Sequence, residues 1–182
     1  MAKTVVKRDV VEVVTPGTAL SDKILNQNSN NYLAAITLGG QKAGVSYGDF
    51  STGEFFLCEI DIENLVNYLQ EIGPREILLP KRQADEILPS IERKIPAIVT
   101  RIDDWIFSYK FAYETLTRHF ATSTLIGFGA EPYELGTTSA GVILHYAGEN
   151  VQDQLKHVRK LSVISPDEFM ILDQSTRRNL EI

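Results

Sequence analysis

Tyr32-Leu33-Ala34-Ala35-Ile36-Thr37-Leu38-Gly39-Gly40-Gln41-Lys42-Ala43-Gly44-Val45-Ser46-Tyr47 decides the fold. Two apolar runs, Tyr32 to Leu38 and Ala43 to Tyr47, are joined only by Gly39-Gly40-Gln41-Lys42. A link that short has hairpin turn chemistry and makes the pair antiparallel. A third run, Glu54 to Ile60, follows Asp49-Phe50-Ser51-Thr52-Gly53, another Gly-containing turn. The domain therefore opens with a three-stranded meander.

The pattern then alternates. Asp61 is a candidate cap for a helix over Ile62 to Ile72, with Leu65, Val66, Leu69 and Ile72 at helical spacing and Gly73-Pro74 as its stop. Glu76 to Leu79 reads as a short internal strand, and Gln83 to Arg93 as a second helix carrying Pro89. Ile95 to Thr100 reads as a further strand. Asp103 or Asp104 is then the candidate cap of a third helix, whose Trp105, Tyr109, Ala112, Leu116 and Phe120 share one face. Strands separated by helices require parallel crossovers. The order β-β-β-α-β-α-β-α is that of the ribonuclease-H-like fold: α/β, with a mixed sheet of about five strands sandwiched by helices. A C-terminal helical extension follows. In it Gly136 to Asn150 carries Ala140, Ile143, Leu144 and Ala147 on one stripe, and Gln152 to Leu161 reads as a more polar helix or linker.

Outside this unit the reading differs. Val10 to Val14 is a β-branched strand ending at Thr15-Pro16-Gly17-Thr18, and the polar stretch from Ala19 to Asn30 reads as a linker. Leu172 to Ile182 begins a helix, with Asp173 or Ser175 as cap, that stops without a stop signal. A piece of a longer protein is the expectation.

Composition narrows the function. With 182 residues, 43% apolar, the chain can bury one sizeable core. Eighteen basic against 24 acidic side chains give a net charge of −6, which disfavours strong non-specific duplex binding. The single Cys58 excludes an internal disulfide and a Cys-rich zinc site. No apolar run approaches the ~18 residues of a membrane span. Lys3, Lys7, Arg8 and Asp9 stand where a signal peptide needs an apolar core. A soluble cytoplasmic protein is expected.

No catalytic constellation stands out. A two-metal nuclease of this topology needs a carboxylate near the centre of its first strand, and Tyr32 to Leu38 has none. Asp49 and Glu54 are the nearest acidic pair. They read as an organiser of the turn and a solvated strand residue rather than as a metal pair. His119, His145 and His157 fall on separate predicted helices, without a second ligand at helical spacing. Cys58, among apolar neighbours, reads as packed rather than reactive. Gly127-Phe128-Gly129 lacks the context of a nucleotide fold, and no phosphate-binding Gly-rich loop exists. Arg177-Arg178 reads as pairing between elements, or else as a phosphate or carboxylate contact. Neither a catalytic residue, nor a cofactor-binding residue, nor a metal ligand is assigned.

Six segments in order resemble the bacterial MutS family of mismatch-recognition ATPases. They are Val11 to Thr18, Asn31 to Ile36, Asp49 to Phe55, Leu125 to Gly129 with Glu131, Ala140 to Ala147, and Leu172-Asp173 with Thr176 to Ile182. The resemblance implies that residues 1–18 end the mismatch-binding domain and that 19–30 link it onward. It implies that 31–168 form the connector domain and that 169–182 begin the core or lever domain. It also implies a non-catalytic connector that relays conformational change between DNA-binding and ATPase parts and offers a docking surface for MutL. ATP and Mg would belong to the full-length protein only. Mismatched DNA would be met only through that protein, alongside the remaining MutS domains and the dimer partner. The family's docking surface includes the exposed face of the helix before Phe120, whose adjacent glutamines align with Glu114 and Thr115. With Leu116 and Phe120 facing the core, helical spacing turns Glu114, Thr115 and Arg118 more nearly outward, toward a partner. The competing class is a ribonuclease-H-like metal-dependent nuclease or junction resolvase using Asp49, Glu54 and an acidic residue from later elements.

Overall fold

The computed structural model describes residues 31–150 and 155–165. Val10 to Val14, the linker over 19–30, Gln152 and the stretch from Phe169 to Ile182 with Arg177-Arg178 lie outside them.

The meander forms as the sequence requires: β1 (Leu33–Gly39), β2 (Lys42–Asp49) and β3 (Glu54–Asp61) pair antiparallel in succession. A one-turn 3₁₀ helix, Ile62–Asn64, leads into α1 (Leu65–Ile72). Asp61 precedes this turn without a side-chain capping bond, contrary to the expectation. Gly73 ends α1 at φ +62°, the left-handed conformation that costs glycine little. β4 (Glu76–Pro80), α2 (Lys81–Ile91) and β5 (Ile98–Ile102) follow. Pro89 does not split α2 into two pieces, because it stands in the last turn, where few bonds remain to be broken.

A second 3₁₀ turn, Asp104–Phe107, precedes α3 (Tyr109–His119), and α4 spans Glu134–Asn150. Ser108, not Asp103 or Asp104, is the residue before α3, and it makes no side-chain cap. The two aspartates instead hold α2: Asp103 pairs with Lys81, while Asp104 accepts from the Arg82 backbone N–H at 3.1 Å. Trp105 consequently leaves the helical face assigned to it and is 59% exposed. Within the stretch read as a polar helix or linker, Gln152 to Leu161, the described residues form a 3₁₀ turn, Leu155–His157, and an irregular link to a short strand β6 (Ser162–Val163) rather than a helix.

The sheet order is β5-β4-β1-β2-β3-β6, with β4 beside β1, β5 beside β4 and β6 beside β3 all parallel. All five expected strands are present, and β6 adds a sixth. β4 is internal, as its unbroken apolar character requires. β1 alternates between two cores: Leu33 and Ala35 join α3 and α4, whereas Ala34 and Ile36 join α1 and α2. The result is an α/β sandwich of ribonuclease-H-like architecture. Among the described residues no helix is long and apolar enough to cross a membrane.

α4 fixes the geometry of the helical face. Every residue from Gly136 to Leu144 is buried, because the sheet covers one side and α3 another. Small residues permit this. A Cβ on Gly141 would lie 2.4 Å from the Ala112 Cα of α3, and one on Gly136 would lie 2.9 Å from the Cys58 carbonyl oxygen. The first turn of α4 donates to a carboxylate from β3: Glu59 Oε1 accepts from Leu135 N–H at 2.7 Å and from Gly136 N–H at 3.2 Å. That bond satisfies orphan donors and places negative charge at the positive end of the helix. Ser139 Oγ donates to the Gly44 carbonyl at 2.9 Å, so the 2.8 Å contact with Thr37 Oγ1 has the threonine as donor.

Candidate docking face

α3 is half sunk in the core. Ala112 and Leu116 are fully buried, and Phe111, Tyr113 and Phe120 pack against the same cluster. The opposite side carries Lys110, Glu114 and Arg118, four residues apart and all exposed. Helical periodicity thus places Glu114 and Arg118 outward. Thr115 is only half-exposed, and its hydroxyl donates to the Phe111 carbonyl at 2.8 Å, so it presents a methyl group more than a free polar group. Arg118 forms no ion pair among the described residues.

An aromatic group flanks the start of α3. Trp105 meets Phe111 edge-on at 5.1 Å between centroids, and His145 lies 5.1 Å from Phe111 and 6.0 Å from Trp105. His145 Nε2 is also 3.5 Å from Glu149 one turn along α4. The sequence signals Trp105 only as an apolar position. Its exposure follows from the 3₁₀ turn, whose helical phase differs from that of α3.

The other singled-out residues have structural roles. Asp49 is buried and organises its turn as expected: Oδ1 accepts from Ser51 N–H at 2.9 Å, and Oδ2 accepts from Asn31 N–H at 2.9 Å. Glu54 is less solvated than expected, since it accepts from the Tyr32 hydroxyl at 3.0 Å. The two residues oppose each other across the hairpin, yet their carboxylates serve different partners. Among the described residues no three His, Cys, Asp or Glu side chains converge in a ligating arrangement. His119 Nε2 contacts the Val158 carbonyl at 2.8 Å, and His157 sits in the turn before it. The Leu125-to-Gly129 segment is a 3₁₀ turn closed by Gly129, and Glu131 Oε1 ties it down by accepting from Leu125 N–H and from the Tyr113 hydroxyl.

Cys58 is fully buried between Val45 and the α1 side of the core, and burial pushes its thiol up to about 11. Burial likewise pushes the Tyr47 phenol up to about 12 and raises Tyr68. Each group is neutral when protonated, so the fold favours the protonated form. That stability is complete below the ordinary values of 9.0 and 10.0 and is lost as pH rises through about 11 and about 12. Two results are expected. Cys58 does not react with a thiol reagent at neutral pH until denaturant is added. The urea midpoint falls steeply once the solution is more alkaline than the free thiol value. Prompt labelling of the folded chain would contradict the burial.

Residues 31–159 match the family MutS domain II. The DNA mismatch repair protein MutS of Salinibacter ruber is 42% identical, with 98% of this chain and 20% of that protein aligned. The MutS proteins of Christiangramia forsetii and Flavobacterium johnsoniae are 40% and 38% identical, each over 100% of this chain and 21% of their own length. The chain therefore spans about a fifth of the length of the curated relatives it matches. With a family domain covering its meander, its crossovers and both packed helices, and with relatives aligned along its whole length, the chain belongs to the MutS family of DNA mismatch repair proteins.

Proposed function

We propose that the chain is a non-catalytic connector of a MutS protein, relaying conformational change between DNA-binding and ATPase parts and offering MutL a docking surface on α3. One observation carries the docking role: the exposed strip of Lys110, Glu114 and Arg118 runs along a helix whose other side is clamped by Leu116 and by the Ala112–Gly141 contact. A rigid strip with mixed charge suits specific docking, because its geometry is set before the partner arrives. The same clamp suits a relay, since a close-packed helix pair moves as one body.

In this reading residues 1–18 complete the mismatch-binding domain and 19–30 form the linker. Residues 31–168 are the connector, and 169–182 enter the core or lever domain. ATP and Mg act elsewhere in the full-length cytoplasmic protein. Its other domains and its dimer partner surround this one, and mismatched DNA is recognised outside it.

The test is a titration of the labelled chain with the matching MutL N-terminal domain. Replacing Glu114, Thr115 and Arg118 together by alanine is expected to weaken binding roughly tenfold or more, equivalent to about 1.4 kcal/mol. Unchanged affinity dismisses this face. Mismatch-selective duplex binding by the chain at physiological salt would count against the connector reading.

A further inference from the structure

Near the β5 edge three cations are paired: Lys81 with Asp103, Arg82 with Asp104 and Arg101 with Asp85. At the opposite edge the run Lys156-His157-Val158-Arg159-Lys160 leads into β6. Its Val158 is buried, while Lys156, His157, Arg159 and Lys160 are all exposed. The run is held in place at two points. His119 at the end of α3 contacts the Val158 carbonyl at 2.8 Å, and Gly53 lies so close to the His157 carbonyl oxygen that a Cβ there would be 2.8 Å away. The first contact ties the end of α3 to the run. Arg118, Arg159 and Lys160 form no ion pair among the described residues.

We propose that Arg159 and Lys160 form a sequence-independent contact site for the phosphate backbone of duplex DNA. The inference rests on the reading that this domain serves a protein acting on DNA. Chemistry favours phosphate over an acidic protein. The run's apolar residue points inward, so its outer surface lacks the apolar centre that protein interfaces bury. Phosphate contacts need only cations at suitable spacing. Arg159 and Lys160 are consecutive, about 3.8 Å apart at Cα, and their long side chains can reach neighbouring phosphates on one strand. The net negative charge of the chain keeps the contact weak and strongly salt-dependent, so it would act only where other parts hold DNA nearby.

The experiment uses the 182-residue chain and a fluorescent, fully paired duplex across a series of salt concentrations. Binding is expected at low salt, with no preference for a mismatch. Arg159→Gln/Lys160→Gln is expected to weaken it at least tenfold. The slope of log K against log salt should also fall by about two, roughly one for each phosphate that a removed cation had neutralised. Circular dichroism and MutL affinity should match the parent, which separates this site from the α3 docking face. Equal DNA binding by parent and variant would overturn the proposal. So would tighter binding of polyaspartate than of the duplex at the same salt, which would assign the patch to an acidic protein partner.

Discussion

A Gly44→Ala chain is expected to lose roughly 3 kcal/mol or more of stability, at or above the top of the usual overpacking range. The added methyl carbon would lie 2.1 Å from the Leu135 carbonyl carbon, 2.4 Å from its oxygen and 2.4 Å from the Gly136 nitrogen. Carbon atoms in contact normally sit about 3.5–4.0 Å apart, and every obstructing atom here is backbone. The start of α4 would have to rise off β2. That movement would stretch the bonds from Leu135 and Gly136 to Glu59 and the bond from Ser139 to the Gly44 carbonyl. Thermal melting should fall by roughly 6–12 °C for a domain of this size, and the urea midpoint should fall with an unchanged slope. Gly40→Ala is the control. Gly40 has a left-handed φ of +62° but nothing within 4 Å, so only a conformational cost of about 1–2 kcal/mol applies. A Gly44→Ala chain as stable as the control would mean that α4 does not rest on β2 as described.

Gly44 also marks where the sequence stops being informative. The meander is legible because its turns are local: Gly39 to Lys42 and Asp49 to Gly53 carry their geometry in their own residues. That Gly44 lies beneath a helix about ninety positions later leaves no local trace. The capping of α4 is similar, since Glu59 reaches it from another element. Asp61 and Asp103 look like caps by position, but Asp103 finds a stronger partner in Lys81, which only the crossover brings near. β6 escapes a reading by pattern because two residues carry no period, and its partner in β3 lies about a hundred residues earlier in the chain.

For the candidate site, helical spacing suffices to turn Glu114 and Arg118 outward, because Ala112 and Leu116 fix the phase of α3. It fails for Trp105, which precedes the α-helix and follows 3₁₀ geometry. The cationic run before β6 is visible as composition. Its placement is not: a helix would also put Lys156, Arg159 and Lys160 on one face, and only the fold shows them in an irregular stretch held against the end of α3 by His119.

Leu116→Ala is expected to cost about 2–5 kcal/mol, the usual range for emptying a buried leucine site. The upper half is favoured here. Leu116 is fully buried beneath α3, and the cavity cannot close by drawing α3 toward α4, because Ala112 and Gly141 are already in backbone contact. Two residues away on either side, alanine at Glu114 or Arg118 should change stability by no more than about 0.5 kcal/mol, since neither side chain is packed. This contrast gives the docking proposal its sharpest trial. If α3 acts as a rigid platform, Leu116→Ala lowers the urea midpoint and weakens MutL binding together, with affinity restored at temperatures where the variant is fully folded. The surface triple variant weakens MutL binding while its urea midpoint stays with the parent. Should the triple variant instead lose stability in step with affinity, the exposed strip would be part of the fold, and the docking surface would have to lie elsewhere on the domain.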